Sequence, residues 1–188
     1  MHQRTLIVGI VLVGLVIGVI FVVRSASVPG TTPQAQRVSP PRESSFVVGK
    51  KAPDFTLKDF DGNEVFLASF YGKKAVVLDF WAAWCPFCVS EMPELEKAQN
   101  AYADKLVMIG VHRTDSNESI ATGKKFADEQ GVTYLLLQGT SAIYRASTKG
   151  LQGMPVAVFI DKNGVVQEVK VGPKTESEIK EKVDRLFQ

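Results

Sequence analysis

Hydrophobic positions fall into three regimes along the chain. Leu6 to Val23 is an unbroken apolar run of 18 residues containing three glycines. From Arg24 to Ser45 the pattern lapses into Ser, Pro, Thr, Gln and Arg with few large apolar residues. Such a stretch cannot bury a core and reads as a flexible tether. From Phe46 onward, short β-prone runs alternate with segments of helical period.

That third regime resolves into elements. Phe55-Thr56-Leu57 and Val65-Phe66-Leu67 flank Asp59-Phe60-Asp61-Gly62-Asn63, the chemistry of a hairpin turn. After a turn at Tyr71-Gly72-Lys73-Lys74 comes a strand over Ala75 to Phe80, then a helix whose periodic part is Glu91 to Ala103 and which contains Pro93. Leu106 to Val111 predicts a strand, Ser116 to Gln130 a helix with a Ser/Asn cap that ends before Gly131, and Thr133 to Leu137 another strand. A short helix over Thr140 to Ser147 follows. Val156 to Ile160 and Val165 to Val171 flank Asp161-Lys162-Asn163-Gly164, an antiparallel hairpin signal. Thr175 to Phe187 closes the chain as an amphipathic helix, capped by Thr175 with Glu178 three residues on. Alternating β and α units imply an α/β domain with a central mixed sheet covered on both faces.

The apolar run is near the lower limit for a bilayer span and long for a signal-peptide core. The preferred reading is a transmembrane anchor over 6–23, after a short tail at 1–5 and before a linker at 24–45 and a domain at 46–188. A signal cleaved near Ser25-Ala26-Ser27 and a buried core helix are the alternatives. No cysteine follows the run closely, so lipoprotein anchoring is excluded. Arg4 argues for an inside N-terminus, but Arg24, Arg37 and Arg42 weaken the charge bias. Gly14 and Gly18 have the spacing of a helix-pairing face, although glycine is common in membrane helices generally.

Charge adds a little. The chain carries a net +2, but four arginines and one acid lie before Phe46, which leaves the domain at −1. Neither a basic stripe nor a phosphate-cradling loop is present, so nucleic acid and nucleotides are not expected partners.

The chemistry lies in Trp84-Cys85-Pro86-Phe87-Cys88, immediately after the strand. A turn feeding a helix puts Cys85 at the helix start and Cys88 one turn later on the same face. Free N–H groups and the helix dipole favour a thiolate, so Cys85 is the expected nucleophile and Cys88 the resolving thiol. Pro86 suits the first helical position. A structural staple across so short a loop would remove little unfolded-state entropy. A zinc site needs about four ligands, and the chain has only these two Cys plus His2 and His112. A redox pair needing no metal and no cofactor is the favoured reading.

The segment Asp79-Phe80-Trp81-Ala82-Ala83-Trp84-Cys85-Pro86-Phe87-Cys88 resembles the active-site segment of the thioredoxin superfamily. From about Val48 to the C-terminus, including Ala52-Pro53-Asp54-Phe55 and Gly153-Met154-Pro155, the domain is most similar to the membrane-anchored, extracytoplasmic TlpA/ResA/CcmG (DsbE) type. The resemblance implies a thioredoxin-like fold with an N-terminal β-hairpin and an extra αβ unit over Ser116 to Leu137. It implies a cis proline at Pro155 packed against the cysteines, with the backbone of Met154 pairing with a substrate polypeptide. It places Asp79 at the buried acid that assists proton transfer at the resolving thiol, and Glu91 at the active-site glutamate of the ResA/CcmG type. Carrying both acids departs from either pattern, because the ResA-type strand more often has an amide at the Asp79 position. A solvated helix residue is the ordinary alternative for Glu91, and a strand-end or water-bonded carboxylate for Asp79.

Trp84 is expected to shield the thiolate, and Pro86, Phe87 and Met154 to line the substrate contact. Pro86-Phe87 matches neither thioredoxin's Gly-Pro nor ResA's Glu-Pro. His112 reads as a surface or hinge residue at a strand end, with copper delivery beside the two thiols as the alternative. The expectation is a membrane-tethered, extracytoplasmic thiol–disulfide oxidoreductase acting on protein thiols and disulfides, recharged by a membrane redox partner. The resemblance favours a reductase, with apocytochrome c cysteines as one possible target. The alternatives are an oxidase of exported proteins and a non-catalytic copper-chaperone or client-binding module.

Overall fold

The computed structural model describes residues 46–188 apart from 115–117, 141–142 and 146–152. The expected anchor and linker, and half of the short helix expected over Thr140 to Ser147, lie outside the described residues, while Thr140 itself belongs to a strand. Ile143 to Arg145 of that segment are helical.

Two sheets form. Strands β1 (Thr56–Lys58) and β2 (Glu64–Phe66) make the antiparallel hairpin expected near the start of the domain. The Asp59 carboxylate organises its turn by accepting the Asp61 and Asn63 amides at 2.9 and 2.8 Å. A 3-10 turn at Leu67–Phe70 leads into the main sheet. Its strands are β3 (Ala75–Trp81), β4 (Leu106–Thr114), β5 (Leu135–Thr140), β6 (Val156–Ile160) and β7 (Val166–Val171), in the order β5-β4-β3-β6-β7. β3, β4 and β5 run parallel, while β6 and β7 are antiparallel to their neighbours.

Every residue of β3 is buried. A central strand covered on both faces needs an apolar residue at nearly every position, which explains its continuous rather than alternating hydrophobicity. Val76, Leu78 and Phe80 pack into one core with Ile109, Val111, Val158 and the N-terminal residues Phe46, Phe55, Leu57 and Leu67. Ala75 and Val77 face the other core, with α1 (Pro86–Ala101) and α3 (Glu176–Arg185) supplying Leu95, Ala98, Ile179 and Val183. Full burial of one Val or Leu contributes about 1.5–3 kcal/mol. The sheet is therefore held mainly from these two faces. Asp79 sits among these side chains with no solvent exposure at all.

Several boundaries move relative to expectation. β4 continues through His112, Arg113 and Thr114, because β5 offers pairing partners at Gln138, Gly139 and Thr140. Helix α2 spans Ile120–Glu129 and starts at a Ser119 cap, whose hydroxyl accepts the Thr122 amide at 3.1 Å, rather than near Ser116. Glu118 is drawn away to the active-site turn, so the helix can begin only after it. β5 begins at Leu135, not Thr133, because the Thr133 and Tyr134 amides are taken by the Glu96 carboxylate of α1 at 2.8 and 3.2 Å. The final helix has the predicted capping box of Thr175 and Glu178.

Candidate active site

Cys85 is the N-cap residue of α1, with Pro86 opening the helix and the Cys88 amide donating to the Cys85 sulfur at 3.2 Å. The two cysteines are joined as a disulfide. Cys88 is fully buried and Cys85 is 4% exposed. Trp84 and Phe87, by contrast, are 49% and 61% exposed, and Pro86 is exposed beside them. A nearly hidden sulfur therefore sits inside an apolar rim.

The Met154–Pro155 bond is cis, as the resemblance implies. Pro155 is buried, and half-buried Met154 packs against the cluster containing Trp81, Cys85, Cys88 and Met92. Arg113, from the unforeseen extension of β4, reaches the same rim. Its guanidinium donates to the Met154 sulfur at 3.6 Å and lies over the rings of Trp84 and Tyr144 at 5.6 and 4.9 Å.

Behind the thiols lies a buried charge cluster. Glu91, one turn after Cys88, is only 2% exposed, which removes the alternative of a solvated helix residue. Its two carboxylate oxygens accept the Lys174 amide at 2.9 Å and the Lys174 ammonium at 3.0 Å. The same Nζ stands 3.7 Å from an Asp79 oxygen, and neither Asp79 oxygen accepts a hydrogen bond. Asp79 lies inside β3 with no exposure and is thus not a strand-end carboxylate.

Burial raises the Asp79 pKa, only partly offset by Lys174. Burial first, and the Asp79 charge second, push Glu91 up to about 8 against the opposing pull of Lys174. Two carboxyls and one ammonium in an apolar interior carry one negative charge too many. A single proton held between the acids makes the cluster neutral, the state that low polarity favours. The Tyr134 hydroxyl, buried without a hydrogen-bond partner, is raised well above its usual value by burial and then by Asp79, Glu91 and Glu96.

A second buried pair braces the turn before Cys85. The Glu118 carboxylate accepts the Ala83 amide at 2.8 Å and the Trp84 amide at 3.3 Å, and it also hydrogen-bonds His112 Nε2. His112 is completely buried, which corrects the expectation of a surface or hinge histidine. Its ring packs 4.7 Å from Trp81, and a side chain on Gly123 would collide with it at 2.5 Å. With Nε2 committed to Glu118, His112 is a support for the active-site turn. No group of three metal-ligating side chains occurs among the described residues.

Sequence reasoning missed Lys174, Glu118 and Arg113. The one signal available for Lys174 was indirect: two acids expected at one buried thiol call for a cation between them. Arg113 follows the expected strand in a polar stretch that reads as solvated loop, and Glu118 falls in the first turn of the helix expected over Ser116 to Gln130, where a glutamate ordinarily faces water.

The Redoxin family pattern matches residues 47–184 of the chain. Over 146 residues the chain is 37% identical to the thioredoxin-like protein YneN of Bacillus subtilis, covering 76% of this chain and 82% of that one. It is 31% identical over 145 residues to the thiol-disulfide oxidoreductase ResA of Geobacillus thermodenitrificans, covering 77% and 80%. Among solved structures, a thioredoxin-family thiol:disulfide interchange protein of Chlorobium tepidum superposes with a TM-score of 0.66 at 29% identity. That match covers 76% of this chain and 99% of the other.

Proposed function

The chain belongs to the Redoxin family as a thiol–disulfide oxidoreductase, and from that premise we propose that it reduces disulfides of exported proteins through Cys85 and Cys88. The observation carrying this reading is the placement of the disulfide. Cys85 caps a helix beneath an exposed rim, and Cys88 is fully buried one helical turn before the buried Glu91.

In the reducing direction, the Cys85 thiolate attacks one sulfur of a substrate disulfide. A bond forms between Cys85 and that sulfur, and the other substrate sulfur leaves as a thiolate. Cys88 then loses its proton to the Asp79–Glu91 pair and attacks Cys85 Sγ. The Cys85–Cys88 bond forms, the mixed disulfide breaks, and the second substrate sulfur departs with the electron pair. The substrate gains two electrons and the enzyme loses two. Trp84, Pro86, Phe87 and Met154 form the contact face, and Pro155 sets the chain direction beside the sulfurs.

Residues 6–23 serve in this reading as a membrane anchor and 24–45 as a tether, with domain 46–188 outside the cytoplasm and a membrane partner returning electrons to the pair. Haem-attachment cysteines of an apocytochrome c are one class of target that such a tethered reductase can serve. An oxidase running the same steps backwards is the competing direction.

The deciding experiment is the reduction potential of the full chain in detergent, equilibrated with glutathione or dithiothreitol buffers. A value near about −270 mV or lower supports a reductase, and one nearer about −120 mV reverses the direction. A pair that cannot be cycled between the two states removes the redox reading altogether.

A further inference from the structure

Lys174 lies in the connection between β7 and α3, a place where lysine normally extends into water. Here its side chain has no exposure. The segment is fixed at both ends. Gly172, in the left-handed region at φ 91°, donates its amide to the Pro155 carbonyl at 2.9 Å. Thr175, immediately after Lys174, is locked by the capping box of α3. Between these anchors, the Lys174 amide and ammonium each meet one oxygen of Glu91, and the ammonium also contacts the Gly172 carbonyl at 3.3 Å and approaches Asp79. Burying a flexible, strongly hydrated ammonium is costly unless it is paired. The site therefore combines a costly cation with a backbone clasp that aims it at two acids.

We propose that Lys174 is a positioning residue for proton transfer at Cys88, its ammonium keeping one of the two buried carboxyls ionised so that a base stands behind the resolving thiol. This rests on the reading of Cys88 as the resolving thiol and of Asp79 and Glu91 as its proton acceptors. The charge count supports it. With Lys174 present, one proton neutralises the cluster and one carboxylate remains. Without it, two desolvated acids side by side both hold protons, and the Cys88 proton has nowhere to go. Among the described residues, the other titratable group acting on the cluster is Tyr134, which precedes β5 and whose far neighbour Glu96 of α1 is engaged by Thr133 and the Tyr134 amide.

Rapid mixing of the fully reduced chain, in detergent, with excess dithiobis(nitrobenzoate) separates the two chemical steps. The first coloured thiolate is released when Cys85 attacks the reagent. The second is released in a unimolecular phase, independent of reagent concentration, when Cys88 attacks Cys85 Sγ and expels the bound aryl thiolate. In Lys174→Met, and in Lys174→Gln, which retains a polar head without the charge, the second phase should slow on the order of tenfold or more near pH 7. Its pH midpoint should rise, while the first phase stays within about twofold.

A second phase with the wild-type midpoint in every folded variant, whatever its stability, would reduce Lys174 to a structural ion pair and overturn the proposal. Two variants that both fail to fold would do the same, because a charge without structural weight could be removed. The underlying reading fails separately. If Glu91→Gln and Asp79→Asn, alone and together, leave the second-phase pH profile unchanged, the acids do not serve Cys88 at all.

Discussion

Glu91 is pulled in opposite directions by its surroundings, and the balance leaves a mark on folding. Burial and Asp79 raise its pKa to about 8 while the Lys174 clasp holds the ionised form in place. A carboxyl whose pKa is higher folded than unfolded carries an extra proton in the native state between its unfolded value, about 4.5, and about 8. Stability must then fall as pH rises through that window, by up to about 1.4 kcal/mol per pH unit for one proton. Asp79 is raised by the same burial, so the single proton is shared between the two acids and the slope keeps this sign and the size set by one proton. Denaturant unfolding of the oxidised chain between pH 5 and 8 should show this decline, and Glu91→Gln should flatten most of it. A profile that is level or rising in the wild type would mean the cluster is wetter than its burial indicates. The burial of Asp79 was legible beforehand, since a carboxylate in a run such as Val76 to Trp81 has nowhere else to go. The burial of Lys174, Glu118 and His112 was not, because a charge is hidden only where a partner distant in sequence receives it. Local pattern does not encode that partner.

At the scale of elements, legibility follows how local the cause is. Both hairpin turns were readable because Asp59 and Asp161 organise them through amides two and four residues away. The capping box of α3 is equally local. The end of β4 and the start of α2 were not readable, because both are set by partners elsewhere: β5 for the one and the Ala83–Trp84 turn for the other. The first turn of α1 is where this matters for activity. Its fold is dictated by Cys85 capping and Pro86, yet it leaves Trp84 and Phe87 outward, where neither helps the core. Apolar groups left exposed around a nearly hidden sulfur fit a surface that a polypeptide covers during exchange. Trp84→Ala and Phe87→Ala should each cost about 1 kcal/mol, about fivefold in kcat/KM, toward a protein disulfide. Exchange with glutathione, too small to cover the rim, should change little. An equal loss toward both substrates would place these residues in the chemistry of the sulfur instead of in docking.

For the whole molecule, the catalytic domain and the proposed anchor make separate demands. A domain whose only cysteines are the reactive pair has no structural disulfide to protect from its own chemistry. Its substrates must nevertheless come within reach of a sulfur hidden beneath a rim. If they serve as the proposed anchor and tether, the 18-residue apolar run and the 22 residues after it would hold the domain at a membrane surface while letting it range a few nanometres, roughly 5–6 Å times the square root of the tether length. If the run is an uncleaved anchor with the domain outside, the full-length chain stays with the membrane pellet through high-salt and alkaline washes. Protease added to intact spheroplasts then cuts within 24–45 and releases a fragment close to 46–188. Recovery of a soluble chain lacking 6–23 would instead identify a cleaved signal, and full protection from the protease would put the domain on the inner side. Each result changes the electron source. An anchored domain can meet a membrane redox partner repeatedly at high effective concentration, because the tether converts encounter into an intramolecular step. A released one must find its reductant by diffusion, and its potential alone would then decide which disulfides it can reduce.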